Sequence, residues 1–178
     1  MVKPRYIIGC LFELTKGALV LGIIVLLLHF FVATIFIVDG ISMEPNFQDK
    51  EVVIVDKLSY LIKTPQRGEV VIVRFPGRES DKYIKRVVGL PADKLEIKNG
   101  KIYLNDQALR ELYLDKDIVI EPDKIWVVPD NQYFLMGDNR AASSDSRIWG
   151  TAPRQNLIGR AYLKIWPTSD IGLIPIPF

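Results

Sequence analysis

Two residue types are nearly missing from this chain. Its 178 residues hold one histidine, His29, and one cysteine, Cys10. A single cysteine excludes an internal disulfide, and neither a thiolate cluster nor a histidine-rich zinc site can be assembled. Basic clusters are also absent. The net charge is only +2, which argues against nucleic acid as a partner. No internal repeat or low-complexity tract is present. No metal or other cofactor is expected.

Apolar residues, by contrast, are concentrated. From Gly17 to Val38 the chain reads GALVLGIIVLLLHFFVATIFIV, with His29 as its one strongly polar side chain. As a helix this run is roughly 33 Å long, close to the hydrocarbon thickness of a bilayer. A cleaved signal peptide would carry a shorter apolar run and a small-x-small site, and VDGISMEP offers none. A buried globular helix of this length would need a far larger domain around it. The expectation is a transmembrane helix over 17–38, with His29 a polar residue tolerated in lipid or facing a neighbouring helix. The basic surplus (Lys3, Arg5 and Lys16 against Glu13) precedes the run. Residues 1–16 are therefore expected on the cytoplasmic side and 39–178 outside, in a single-pass cell-membrane protein. IIGC at 7–10 has no apolar run before it, so Cys10 reads as an ordinary apolar residue rather than a lipoprotein site.

The remaining chain is built of short β-rich runs between turn signals: EVVIVDKL (51–58), EVVIVRF (69–75), YIKRVVGL (83–90), DIVIEP (117–122), KIWVV (124–128), QYFLMG (132–137) and GRAYLKIWP (159–167). KLEIKNGKIYLN (94–105) alternates on both sides of Asn-Gly, the pattern of a hairpin with a type I′ turn. No long amphipathic helical period follows residue 38. The expected fold is mostly β, an antiparallel domain over 39–178 hung from one helix. The final IGLIPIPF is either a last core strand or a membrane-surface contact.

Ser42 stands in VDGISMEPNF, directly after the apolar run. It is either a turn residue that ends a helix or a nucleophile at a membrane surface. A serine needs a base to take its proton. His29 would lie on the order of 20 Å away along a helix and at membrane depth, so a Ser-His-Asp triad is excluded. The base must be a lysine, or a carboxylate acting through water. Most lysines lie in wet contexts. Lys85, in YIKRVVGL, shares a strand face with Tyr83 and Val87 while Arg86 points the other way. Shielding from water would lower its pKa. Periodicity alone favours a strand-edge lysine with its stem on apolar surface and its amine in water. A third stretch, LMGDNRAASSDSRIWG (135–150), is either a solvated loop or one whose serines orient the lysine, with Asp138, Arg140, Asp145 and Arg147 paired as charges.

SMEP at 42–45, RGEVVIVRFP at 67–76, YIKRVVGLPAD at 83–93 and GDNRAASSDSRIWG at 137–150 resemble the successive sequence boxes of type I signal peptidases. The likeness covers roughly residues 17–165. It implies a membrane-bound serine endopeptidase with a Ser/Lys dyad on an all-β fold, which removes signal peptides from secreted precursors after small residues, at A-x-A-like sites. On this resemblance Ser42 is the nucleophile, Lys85 the general base, and Ser143 the residue that hydrogen-bonds the lysine amine. Arg86, Asp138, Arg140, Asp145 and Arg147 are structural support, with Asp145 and Arg147 an ion pair. Phe36, Val38, Phe47 and Ile84 line small apolar pockets. A small second β lobe lies within 93–136. The implied partners are signal peptides, the lipid bilayer and the secretion translocon. Asn46 stands where the family usually has threonine, Ala92 where it has glycine, and Gly40 lacks a hydroxyl that some members place in the oxyanion hole. A self-cleaving repressor of the Ser/Lys type would need a DNA-binding helix pair before the domain. The alternative from another class is a membrane-anchored β-domain that binds a partner without catalysis.

Overall fold

Alternating and doubly apolar runs fold here as a β protein with two sheets. In a computed structural model, the structure describes residues 4–27, 32–114 and 118–177. Helix α1 takes Pro4–Leu27. The strands are β1 (Ala33–Ile37), β2 (Val52–Asp56), β3 (Val70–Phe75), β4 (Arg78–Gly89), β5 (Lys94–Lys98), β6 (Lys101–Leu104), β7 (Gln107–Ala108), β8 (Lys124–Val127), β9 (Gln132–Met136), β10 (Ala152–Pro153), β11 (Leu157–Trp166) and β12 (Gly172–Leu173). Two single-turn helices, α2 (Ser59–Ile62) and α3 (Ser146–Trp149), interrupt them.

The large sheet runs β1-β2-β11-β3-β4-β9-β10, with β12 paired to β11. The small sheet runs β7-β6-β5-β8 and is inserted between β4 and β9. All recorded ladders are antiparallel, as the hairpin-rich sequence predicts. Gln132–Met136 pairs with β4, so the inserted lobe closes at β8 and the chain is back in the large sheet before residue 136. The Asn-Gly hairpin forms as expected. Asn99 and Gly100 both have positive φ, 51° and 73°, joining β5 to β6.

The expected helix over 17–38 is corrected at its C-terminal end. Helix α1 is described over Pro4–Leu27, and ATIFI at 33–37 is not helix but strand β1, on the edge of the large sheet. Its β-branched residues suit a pleated surface. Register with β2 sets Phe36 toward the core while Ile35 and Ile37 face out. Among the described residues, no helix is long and apolar enough to cross a membrane. His29 lies outside the described residues. Residues 118–122 of the run expected as a strand are not one. Pro122 removes a donor there, and Ile120 instead buries its side chain and makes one bond to the Gly100 carbonyl at 3.2 Å.

Strand β3 explains why the large sheet holds together. Val70 and Ile72 enter one core with Val38, Phe47, Val53 and Ala161, while Val71 and Val73 enter another with Tyr60, Val87 and Leu135. It is covered on both faces, so its run is continuously apolar. A third core, around Leu95, Ile97 and Phe134, joins the small sheet to β4 and β9. The apolar C-terminal tail contributes to the first core. Strand β12 pairs with β11, and Ile174 is buried beside Val38 and Phe47. Ala92, where the resemblance expects glycine, holds φ at 68°, in the left-handed region that glycine enters without strain.

Candidate active site

Ser42 sits in the turn that leaves β1. Met43, fully buried, pins that turn into the first core, and the Phe47 N–H donates to the Met43 carbonyl at 3.0 Å. The loop after β9 holds the turn from the other side. Asn139 N donates to the Ser42 carbonyl at 3.1 Å, and Asn139 Nδ2 donates to the Ile41 carbonyl at 3.2 Å. Among the described residues, the Ser42 N–H donates to no partner.

Lys85 reaches Ser42 from β4, which is buried on both faces from Ile84 onward. Its Nζ donates to Ser42 Oγ at 2.7 Å and to the Ile84 carbonyl at 3.0 Å. The residue is 2% exposed, and its amine lies 5.5 Å from the centre of the Tyr83 ring. The reading with the amine in water is thus overturned. Burial holds the Lys85 pKa down, from 10.5 to about 8, against the opposing charges of Asp145 and Asp138.

Ser143 is buried at 9% exposure. It packs where Gly137 has no side chain: a Cβ on Gly137 would run into both Ser143 Oγ and the Ser42 carbonyl. The expected hydrogen bond from Ser143 to the Lys85 amine is not made: Ser143 Oγ has no partner among the described residues, while the amine bonds Ser42 and the Ile84 carbonyl.

The charged residues of the loop do pair, though not all with each other. Arg147 binds Asp145 through Nε and Nη2, both at 2.8 Å, as the resemblance implied. Asp145 also accepts from Gly137 N at 3.1 Å. Asp138 pairs with Arg86 by two bonds of 2.8 and 2.5 Å, both residues essentially buried. Arg140 pairs with Glu111, which lies in the lobe and was not foreseen. Asn46 and Tyr113 join the same network. Asn46 Nδ2 donates to Asp138 Oδ2 and to the Tyr113 carbonyl, each at 2.9 Å. In the sequence, Glu111 and Tyr113 fall in a segment without strand alternation, and no motif marks them.

Phe36, Val38, Phe47 and Ile84 come together in the first core, beside Met43. Val38, Phe47 and Ile84 are each at most 3% exposed, and Phe47 also lines a cavity beside Asn46, Arg86 and Tyr113. Among the described residues, no group of histidine, cysteine, aspartate and glutamate is arranged to hold a metal ion.

A family profile described as "Signal peptidase, peptidase S26" matches residues 11–166. A probable signal peptidase I-2 of Synechocystis sp. is 36% identical over 167 residues, covering 91% of this chain and 76% of that protein. A signal peptidase I of Leptolyngbya laminosa is 34% identical, covering 92% and 85%. A signal peptidase IB of Staphylococcus aureus is 32% identical, covering 79% and 81%.

Proposed function

The chain belongs to the type I signal peptidases, serine endopeptidases that remove signal peptides, and from that premise we propose that Ser42 is its nucleophile and the neutral amine of Lys85 its base. The observation that carries this reading is the 2.7 Å contact between Lys85 Nζ, on a residue 2% exposed, and the Oγ of half-buried Ser42. Neutral Lys85 accepts the Ser42 proton as Oγ attacks the scissile carbonyl carbon. The resulting alkoxide on the substrate is met by the Ser42 N–H, with Gly40 offering no hydroxyl beside it. Collapse expels the amine of the mature protein, which takes its proton from the Lys85 ammonium, and leaves an ester on Ser42. Lys85 then deprotonates a water that hydrolyses the ester. Ser143 Oγ, buried and unpartnered in the resting site, is free to turn toward the amine once the Ser42 proton has moved.

The substrate presents an extended segment along the free edge of β1, main chain to main chain. Small side chains, as in A-x-A, fit a surface backed by the buried Val38, Phe47 and Ile84. The N-terminal segment with α1 anchors the protein, N-terminus in the cytoplasm. In its support, Leu19, Leu21, Ile23 and Leu26 of α1 are exposed, as are Ile35, Ile37 and Ile41 beside the Ser42 turn. Exposed large apolar side chains in such number are a membrane-contact signature. Substrate delivery from the translocon belongs to the same reading.

The test is cleavage of a precursor peptide carrying an A-x-A site. Ser42→Ala and Lys85→Met are expected to lose at least about 10³-fold in rate while remaining folded. Wild-type turnover by either variant would remove the dyad.

A further inference from the structure

Residues 111–113 leave the small sheet after β7 and run toward the dyad rather than away from it. Tyr113 is where they arrive. Its carbonyl accepts from Asn46 Nδ2 at 2.9 Å, in the turn that carries Ser42. The Arg86 guanidinium, on the residue after Lys85, stacks 4.1 Å above its ring. Its hydroxyl accepts from Arg140 Nη2 at 3.3 Å and donates to Glu111. One residue thus touches the turn of the nucleophile through its carbonyl, and the strand of the base and the loop of Ser143 through its side chain.

Glu111 extends the same contact. It takes Arg140 Nη1 at 2.7 Å and Nη2 at 2.5 Å, with the Arg140 side chain wholly buried. Arg140 Nε in turn donates to the Gly137 carbonyl at 3.0 Å. Gly137 is the residue against which both Ser143 and the Ser42 carbonyl pack. A buried ion pair is poor value as a pure stabiliser, since apolar residues of similar volume usually serve as well. What a two-point arginine–carboxylate pair does supply is fixed geometry.

We propose that the Glu111–Tyr113 arm is a positioning element for catalysis, by which the inserted lobe holds the Ser42 turn, the Lys85 strand and the 137–147 loop in register. The inference rests on the dyad reading above. The arm touches neither Ser42 nor Lys85 through any recorded bond, so it acts through Asn46, Arg86 and Arg140. By the resemblance, Asn46 stands where the family usually has threonine. Its amide spans the Tyr113 carbonyl and Asp138 at once, a reach that the shorter threonine side chain lacks.

The test uses the full-length protein, the A-x-A precursor peptide and three variants. Tyr113→Ala is expected to lower kcat by about 10²-fold, the scale of an ångström of misplacement, with KM within about twofold of wild type. Tyr113→Phe keeps the ring under Arg86 and is expected to recover kcat to within about fivefold. Glu111→Gln is expected to fall between them. A folded Tyr113→Ala with wild-type kcat overturns the proposal, as does a Phe variant as impaired as the Ala variant. Should Tyr113→Ala not fold, a folded Glu111→Gln with unchanged kcat overturns it equally. Ser42→Ala and Lys85→Met run in parallel. If they still cleave, the dyad reading itself fails; if they are inactive beside a fully active Tyr113→Ala, the arm alone is refuted.

Discussion

Lys85 carries the account at the residue scale, and it does so at a cost to the fold. Its pKa falls from 10.5 to about 8 because burial outweighs the pull of Asp145 and Asp138. Below pH 8 the folded protein therefore holds a buried charge that the unfolded chain keeps in water. The unfolded chain binds that proton more tightly, so the contribution of this group to stability rises with pH between about 8 and 10.5 and is flat outside that window. At pH 7 the penalty is at most roughly 3 kcal/mol. Lys85→Met is accordingly expected to be more stable than wild type by roughly 1–3 kcal/mol at pH 7, and the advantage should shrink toward pH 10. Denaturant melts at the two pH values check this, and a less stable variant at pH 7 would contradict it. Lys85 was legible in two steps: the scarcity of histidine left a lysine or a water-linked carboxylate as base, and the family resemblance of YIKRVVGLPAD singled out Lys85. Glu111 and Tyr113 were not legible, because their contacts are made across the molecule by a segment with no periodicity to announce its direction.

At the scale of elements, the decisive piece is the loop from Gly137 to Arg147. It wraps its own charges inward, Asp145 to Arg147 and Asp138 to Arg86, and offers the Asn139 N–H to the Ser42 carbonyl. This close approach depends on Gly137 having no side chain. Gly137→Ala must push the Ser42 turn and Ser143 apart. A kcat loss of about 10²-fold is expected, with peptide binding largely kept; unchanged kcat would mean the turn and loop yield without consequence. The strands themselves were readable because alternation and turn residues agree, as in KLEIKNGKIYL. The β1 segment was misread for a physical reason. ATIFIV continues an apolar run with no polar break, and only the open edge of β2 decides that it pairs as a strand. Likewise the 118–122 run looks β-rich, yet Pro122 and the lobe's core leave it only isolated bonds.

The whole molecule is a body of two sheets with an apolar helix at its N-terminus. The exposed apolar residues of α1 and those flanking the Ser42 turn place uncovered surface at one end of the chain's catalytic segments. If that surface meets a bilayer, Leu21→Lys combined with Ile24→Lys in the full chain should shift the protein from the membrane pellet toward the soluble fraction. Cleavage of a short soluble peptide should stay within about twofold. Retention in the pellet after carbonate washing would show that anchoring lies elsewhere. Mostly antiparallel architecture was readable from spacing, and the second lobe from the family resemblance; that the lobe reaches back to the dyad's supports was not, because no local pattern encodes a contact between Tyr113 and Arg86.

The account stands on a lysine whose pKa burial lowers to about 8, and titrating the lysine side chains by nuclear magnetic resonance tests this most directly. With lysine Cε labelled in the full-length protein, one resonance, absent in Lys85→Met, is predicted to titrate with a midpoint near 8. If every lysine resonance titrates above about 10, as free lysines do, the amine is not shielded and Lys85 is not the base.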